Sequence, residues 1–262
     1  MSNRPSLLIL GSGRHQAFLI RLAEQQGYAT VIADNQPGSP GREFCSVQSM
    51  VSTTDLDGCR QLAVEHRVSG ILTTGTDQPV RVMATLSAEL GLPCYISPAG
   101  AQTATNRLLQ REPLAAAGIP QPRFLTLAAG SDAYLDWDIF PCVVKPGDSQ
   151  GQRGVKRVEN STALISTIRD SAQFATNGST IIEEFVEGPE ITVTAWLHDG
   201  GIAFFSMSDR VTYSRHSLGV GFQHVFPSLA AAPHERQIRE MVQRIGQAFG
   251  MRQGPLYVQM LI

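Results

Sequence analysis

Several protein classes are excluded by what this chain lacks. It has four cysteines, Cys45, Cys59, Cys94 and Cys142, and no C-x-x-C pair among them. Scattered through 262 residues, they provide neither a disulfide framework nor clustered zinc ligands. They read as reduced thiols, mostly packed as small apolar groups. No apolar run approaches the roughly 18 residues of a membrane span. The opening MSNRPSLLILGSG is too short in its apolar part for a signal peptide, so a soluble, cytoplasmic protein is the expectation. An excess of one charge is missing as well. The 21 Lys and Arg stand against 23 Asp and Glu, for a net charge of −2. That balance gives no electrostatic reason to expect nucleic acid or an anionic membrane as a partner. There is no internal repeat or low-complexity tract. At 42% hydrophobic and 17% charged residues, disorder, collagen and coiled coil are excluded. The length suits two domains or one large one.

What is present begins as alternating strand and helix. Leu7–Leu10 is a short apolar run suited to a strand buried on both faces, and it ends at Gly11-Ser12-Gly13. A helix follows, with Phe18/Leu22 and Leu19/Ala23 each spaced four apart on one face. Strands are predicted at Thr30–Ala33, Gly70–Thr73 and Leu92–Ile96, with a helix after Thr76-Asp77 that carries Pro79 in its first turn. This order implies a parallel sheet with right-handed crossovers. A helical stretch from Ala101 to about Ala117 ends at Gly118-Ile119-Pro120. The character then changes. Pro141–Lys145 and Val155–Val158 flank a polar glycine loop, and a helix is centred on Leu164, Ile165 and Ile168. Ile191, Val193, Ala195 and Leu197 alternate with polar residues, as in a half-buried antiparallel strand. Gly200-Gly201 signals a hairpin turn into Ile202–Met207. His234–Phe249 has helical spacing, and Tyr257–Ile262 is a last strand. The fold class is α/β: a Rossmann-like parallel domain followed by an α+β module.

Three segments could bear chemistry. Gly11-Ser12-Gly13 with Asp34 mimics a dinucleotide fingerprint, but Gln16 stands where its third glycine belongs. A tight strand-to-helix turn is the preferred explanation. In VVKPGDSQGQRGV, Ser149, Gly151 and Gly154 form a loop whose backbone N–H groups can approach a phosphate, with Lys145 supplying a cation. A solvated hairpin tip explains that segment equally well. In IIEEFVEGPE, a strand end offers backbone groups to an adenine edge, and Glu190 can accept from ribose hydroxyls.

Lys145 with its glycine loop, then EEFVEGPE, then the run to GPLYVQMLI resembles the ATP-grasp superfamily over nearly the whole chain. Asn106-Arg107 and Tyr257-Val258-Gln259 resemble its branch related to the carbamoyl-phosphate synthase large subunit. The resemblance implies ATP and Mg²⁺ as cofactors, and small-molecule carboxylate and amine substrates joined through an acyl phosphate. It implies that Arg107 and Lys145 contact the ATP phosphates and that Ser149, Gly151 and Gly154 close over them. Glu184, Phe185 and Val186 would read adenine, Glu190 would hold the ribose, and Gln259 would be a Mg²⁺ ligand. Asn106 replaces the family's usual acid, and Arg107 its commoner lysine. Arg210 is a candidate for the acceptor site, with an exposed turn arginine paired to Asp209 as the alternative. His216 and His224 flank Gly219-Val220-Gly221, a possible lid. Trp137 and Trp196 read as packing residues. The implied organisation is a Rossmann-like domain at 1–97, a helical linker at 98–122, a lid subdomain at 123–187 and an incomplete larger subdomain at 188–262. The family's E-x-N-x-R segment, which carries further metal ligands, does not occur before Ile262, so a truncated chain is expected. The alternatives are a non-catalytic ATP-binding module or one piece of a split ligase, with a homodimer left open. A nicotinamide-dependent oxidoreductase would rest on the first glycine turn alone.

Overall fold

The computed structural model describes residues 4–149, 152–175, 177–213 and 221–262. The chain divides into two compact units, residues 1–105 and 106–262.

In the first unit the strands are β1 (Ser6–Leu10), β2 (Ala29–Ala33), β3 (Val47–Gln48) and β4 (Gly70–Leu72), paired in the order β3-β2-β1-β4. All three pairings are parallel. Leu8, Ile9 and Leu10 are buried, as the continuous apolar run requires of a strand covered on both faces. The helices are α1 (Arg14–Gln25), α2 (Leu56–Glu65), α3 (Gln78–Glu89) and α4 (Pro98–Ala104).

Three expectations change here. The buried stripe of α1 is Gln16, Ile20 and Ala23, while Phe18 and Leu22 face outward. No strand forms over Leu92–Ile96, where Pro93 has no N–H to give to a ladder. The stretch predicted as one helix is two, because Thr105-Asn106 interrupts it.

The second unit holds α5 (Arg107–Ala116), β5 (Phe124–Leu127), β6 (Cys142–Pro146), β7 (Lys156–Val158), α6 (Leu164–Ala172) and β8 (Thr180–Glu184). It continues with β9 (Glu190–His198), β10 (Gly201–Thr212), β11 (Gly221–Val225), α7 (Glu235–Ala248) and β12 (Gly254–Leu261). The strands make two antiparallel sheets, β5-β8-β6-β7 and β11-β10-β9-β12. Side chains alternate across each sheet, so each has two chemically distinct faces.

On the first sheet, Cys142, Val144, Ile182, Leu127 and Val158 share a core with Trp137 and Leu164. Trp137 is thus the packing residue its sequence suggested. The register puts Val143, Lys145, Ile181 and Glu183 on the opposite face. On the second sheet, Ile191, Val193, Ala195 and Leu197 are buried. The last of these lies against α7, where a Cβ on Gly246 would fall 2.6 Å from Leu197 Cδ1. Gly246 therefore sets how closely helix and sheet approach. The outer face carries Glu190, Thr192, Thr194 and Trp196, matched across the ladders by Ser208, Tyr257 and Gln259. Trp196 is half exposed there, contrary to the packing role expected of it.

The β9–β10 turn is Asp199-Gly200, both with positive φ (50° and 82°), one residue earlier than predicted. That pair suits the right-handed twist of a two-residue hairpin.

Candidate functional site

The strongest chemical feature lies on the free face of the first sheet in the second unit. Glu183, the penultimate residue of β8, is a buried carboxylate flanked by Phe124 of β5 and Val143 of β6. Its Oε2 accepts from Lys145 Nζ, two positions along on β6, and its Oε1 faces Arg111 Nη2 in an ion pair. Arg111 comes from α5, one turn after Arg107. Residues four apart lie on one helix face, so a single helix presents both guanidinium groups to the sheet. Arg107 Nη1 donates to the carbonyls of Pro146 and Ser149, at the root of the glycine loop. Burial, then the Arg107 and Arg111 guanidiniums, pull the Lys145 ammonium below its ordinary value, with Glu190 opposing them. Burial and Arg107 also pull Arg111 downward.

Asn106, standing where the resembling family has an acid, caps α5. Its Oδ1 accepts from the N–H groups of Leu108 (2.9 Å) and Leu109 (3.3 Å). A carboxylate can make the same bonds, which explains why either residue serves before Arg107.

The glycine loop is fastened at both ends. Gly147 N–H donates to Ser179 O at 2.9 Å. Gly154 has φ +74°, its carbonyl accepts from Ser171 Oγ at 2.9 Å, and an added Cβ would lie 2.8 Å from Pro146 Cγ. Gly154 therefore closes the base of the loop. Ser149 is buried. Gly151 lies outside the described residues, as do His216, Gly219 and Val220 of the expected lid.

The segment proposed to meet adenine is partly occupied by the chain itself. Glu184 N–H donates to Arg123 O at 2.8 Å and Phe185 N–H to Pro141 O at 3.2 Å. The Glu184 carboxylate accepts from Arg123 N–H at 3.1 Å. Any base edge would thus meet carbonyls of this segment and the N–H of Val186, which stands beyond the end of β8 and is exposed. The Phe185 ring is covered by the Arg157 guanidinium at 4.0 Å.

On the outer face of the second sheet, Arg210 and Glu190 are ion-paired. Arg210 lies inside β10, so it is not the turn arginine of the alternative above, and Asp209 instead accepts from Ser228, Leu229 and Ala230. His224 Nδ1 and Ser208 Oγ are 2.9 Å apart on the same sheet. Gln259 is exposed, and its Nε2 donates to Tyr257 Oη at 3.2 Å, leaving its amide oxygen as the acceptor end. Among the described residues no group of three or more His, Cys, Asp or Glu could hold a metal ion.

In the first unit, Asp34 is consumed by its own turn. Its Oδ2 accepts from Ser12 N and Ser12 Oγ, both at 2.7 Å, and its Oδ1 from Gln36 N at 2.8 Å. Burial works to raise its pKa, but the bonds from Ser12, Gln36 and Ser39 outweigh it and the net direction is down. Gln16 packs under Gly11, which has φ +98°, and donates to Thr74 O. The glycine turn is thereby a structural strand-to-helix turn, with no acid left to bind a ribose.

Glu183 and Arg111 were not singled out from sequence. The signals available were the two-residue alternation that aligns Glu183 with Lys145 across β6 and β8, and the spacing of four between the two arginines.

Residues 139–262 match the family described as the ATP-grasp domain. The chain is 28% identical over 198 residues to a phosphoribosylamine–glycine ligase of Caulobacter vibrioides, covering 72% of this chain and 46% of that protein. It is 26% identical over 221 residues to a carbamoyl phosphate synthase large chain of Streptomyces avermitilis, covering 75% and 20%. The chain therefore spans about half the length of the first and a fifth of the second. In fold it resembles the N5-carboxyaminoimidazole synthetase from Staphylococcus aureus solved with ADP, with a TM-score of 0.80 at 18% identity, covering 98% of this chain and 66% of that one. No helix among the described residues is long and apolar enough to cross a membrane. With the fold and the two-sheet arrangement in agreement with that match, residues 139–262 of this chain are an ATP-grasp domain.

Proposed function

We propose that the second unit is the nucleotide-binding part of an ATP-dependent ligase joining a carboxylate to an amine. The observation that carries this reading is the cationic face of the first sheet. Arg107, Arg111 and Lys145 converge there around one buried carboxylate, beside a loop closed by Gly147 and Gly154.

The donor set fits a polyphosphate. In this reading Arg107 and Lys145 contact phosphate oxygens, and Ser149, Gly151 and Gly154 belong to the loop that covers them. The carbonyls of Glu184 and Phe185 and the N–H of Val186 meet the adenine edge. Glu190 meets the ribose, which requires it to share its carboxylate with Arg210. Bound ATP would supply the phosphoryl group that activates a carboxylate for attack by an amine through an acyl phosphate. The chain's own part is to hold fixed cations where negative charge gathers, so that little reorganisation is needed. Arg210 faces the acceptor side on the second sheet.

Mg²⁺ would be held by the Gln259 amide oxygen together with phosphate oxygens and water, which suits a hard cation, and would add to the neutralisation of phosphate charge.

The test is thermal unfolding with MgATP, MgADP or NADH, for the native chain and Lys145→Ala. A ligand at 100 times its Kd adds about 2.7 kcal/mol. Stabilisation by adenine nucleotides that shrinks in Lys145→Ala supports the site. Stabilisation by NADH alone would overturn it. Release of inorganic phosphate that requires both a carboxylate and an amine would establish the ligase. Nucleotide binding without such release across a substrate panel would leave a binding module.

A further inference from the structure

We propose that Arg111 is a positioning residue that acts through Glu183 on the Lys145 ammonium, a role that rests on reading Lys145 as a phosphate contact of this site. Arg111 is itself held on three sides. Its guanidinium lies over the Phe124 ring, 4.9 Å from the centroid. Its Nη1 donates to Gln121 Oε1 at 3.1 Å, while Gln121 Nε2 donates back to the Arg111 carbonyl at 3.0 Å. Its Nη2 faces Glu183 Oε1. The side chain is only 15% exposed, so its hydrogen-bonding edge is turned into the protein and away from any ligand. A planar fork fixed in this way holds one carboxylate oxygen and leaves the other to Lys145.

The consequence concerns how strongly Glu183 neutralises Lys145. Shared between two cations, Glu183 orients the ammonium without cancelling its charge, and the charge stays available to a phosphate. With Arg111 gone, the whole carboxylate would serve Lys145 alone. The charged groups facing Lys145 are Arg107 and Arg111 from α5, Glu183 from β8 and Glu190 from β9. Removing a cation from that set raises the affinity of Lys145 for its proton, and removing the carboxylate lowers it.

The chain has two lysines, Lys145 and Lys156. Lys156 is exposed and paired with Asp170 at 2.8 Å, so it serves as an internal reference. The experiment is competitive acetylation of the full chain at pH 6, below the value of about 7 to which burial and its neighbours bring Lys145, read by peptide mass spectrometry as the ratio of Lys145 to Lys156 labelling. Arg111→Met is expected to lower the ratio by about tenfold, the change in free amine for a pKa rise of one unit. Glu183→Gln is expected to raise it, and Arg111→Lys, which keeps the charge, to stay within about twofold of the native chain. A merely structural role predicts the opposite for Arg111→Met, because loosening the site exposes the amine and speeds its labelling. An unchanged or raised ratio in Arg111→Met, or a lowered one in Glu183→Gln, overturns the proposal. If Arg111→Met does not fold, Glu183→Gln and Arg111→Lys decide it. A further arm adds MgATP to the native chain. Failure of MgATP to slow Lys145 labelling would overturn the nucleotide reading of the site, while the variants without nucleotide would still decide the role of Arg111.

Discussion

Asn106 makes a strong test of how the sequence builds the cationic face proposed to meet the nucleotide, because one side chain fixes the start of the helix that carries both arginines. Its Oδ1 accepts from two N–H groups of the first turn of α5, at 2.9 and 3.3 Å. Replacing a cap of this kind by alanine costs about 1 kcal/mol. Asn106→Asp keeps both bonds and adds a negative charge at the positive end of the helix, a gain of about 0.3–1 kcal/mol. The two variants should thus differ by about 1.3–2 kcal/mol in urea unfolding, with Asn106→Asp equal to or above the native chain. Arg107 is the next residue, and its hold on the Pro146 and Ser149 carbonyls depends on that first turn. Nucleotide affinity in Asn106→Ala should fall by up to about fivefold, the equivalent of 1 kcal/mol if the fraying is fully coupled to binding. Equal stability of Asn106→Ala and Asn106→Asp would refute the capping argument. A loss of affinity beyond tenfold in a folded Asn106→Ala would mean that Asn106 meets the ligand itself.

Gly154→Ala forces a side chain into positive φ and within 2.7 Å of Phe174 Cδ2 and 2.8 Å of Pro146 Cγ, so it should cost about 2–4 kcal/mol in denaturant unfolding; a cost below about 0.5 kcal/mol would contradict the packing at the loop base. Glu24 is pulled from 4.5 to about 2, because bonds from Ser46, Thr30 and Arg4 outweigh the burial that would raise it. A lowered carboxylate stabilises the fold above its unfolded value and stops doing so as pH falls through its folded one. The stability gap between the native chain and Glu24→Gln, about 1 kcal/mol at pH 7 after allowance for screening, should therefore close between pH 4.5 and 2, and a gap constant with pH would contradict the assignment. Phosphate charge beside Lys145 should reverse the lowering imposed by burial, Arg107 and Arg111, so MgATP binding should take up protons near neutral pH. Calorimetry in two buffers of different ionisation heat would show this, and an observed heat independent of buffer would contradict it.

The parts of the fold that could be read from sequence are those where one physical pattern acts alone. The buried run at Leu7–Leu10 and the alternation at Ile191–Leu197 each have one dominant period, and each became the expected strand. Misplacements arose where two signals competed. Leu92–Ile96 has strand-like side chains, but Pro93 removes a ladder donor. Ala101–Ala117 is helical in composition, but Asn106 satisfies its own following N–H groups and starts a new helix. Phe18 and Leu22 have the right spacing for a buried stripe, yet Gln16, Ile20 and Ala23 occupy it, because Gln16 has a backbone carbonyl to bond beneath the glycine turn. In the site, Lys145 and its glycine loop stood out because their residue types are unusual together. Glu183 did not, because a glutamate near a strand end reads as solvated until the register puts it between Lys145 and Arg111.

That arrangement is hard to explain as a device for stability. Burying charged groups costs several kcal/mol per ion, and a buried pair seldom outperforms apolar residues of the same volume. Here the cost is compounded, because burial and two neighbouring guanidiniums lower the Lys145 value. The folded chain then binds that proton more weakly than the unfolded chain does, so the group opposes folding when protonated, and its contribution to stability rises with pH from the lowered value toward the ordinary one. The same sheet shows what stability alone would select. Its other face is built around an apolar core of Cys142, Val144, Ile182 and Leu127. Two faces of one sheet, built from alternate residues of the same strands, have been given opposite chemistry. An anionic ligand with several charges would turn the unfavourable face into a favourable one, which is the physical argument behind the proposed polyphosphate site.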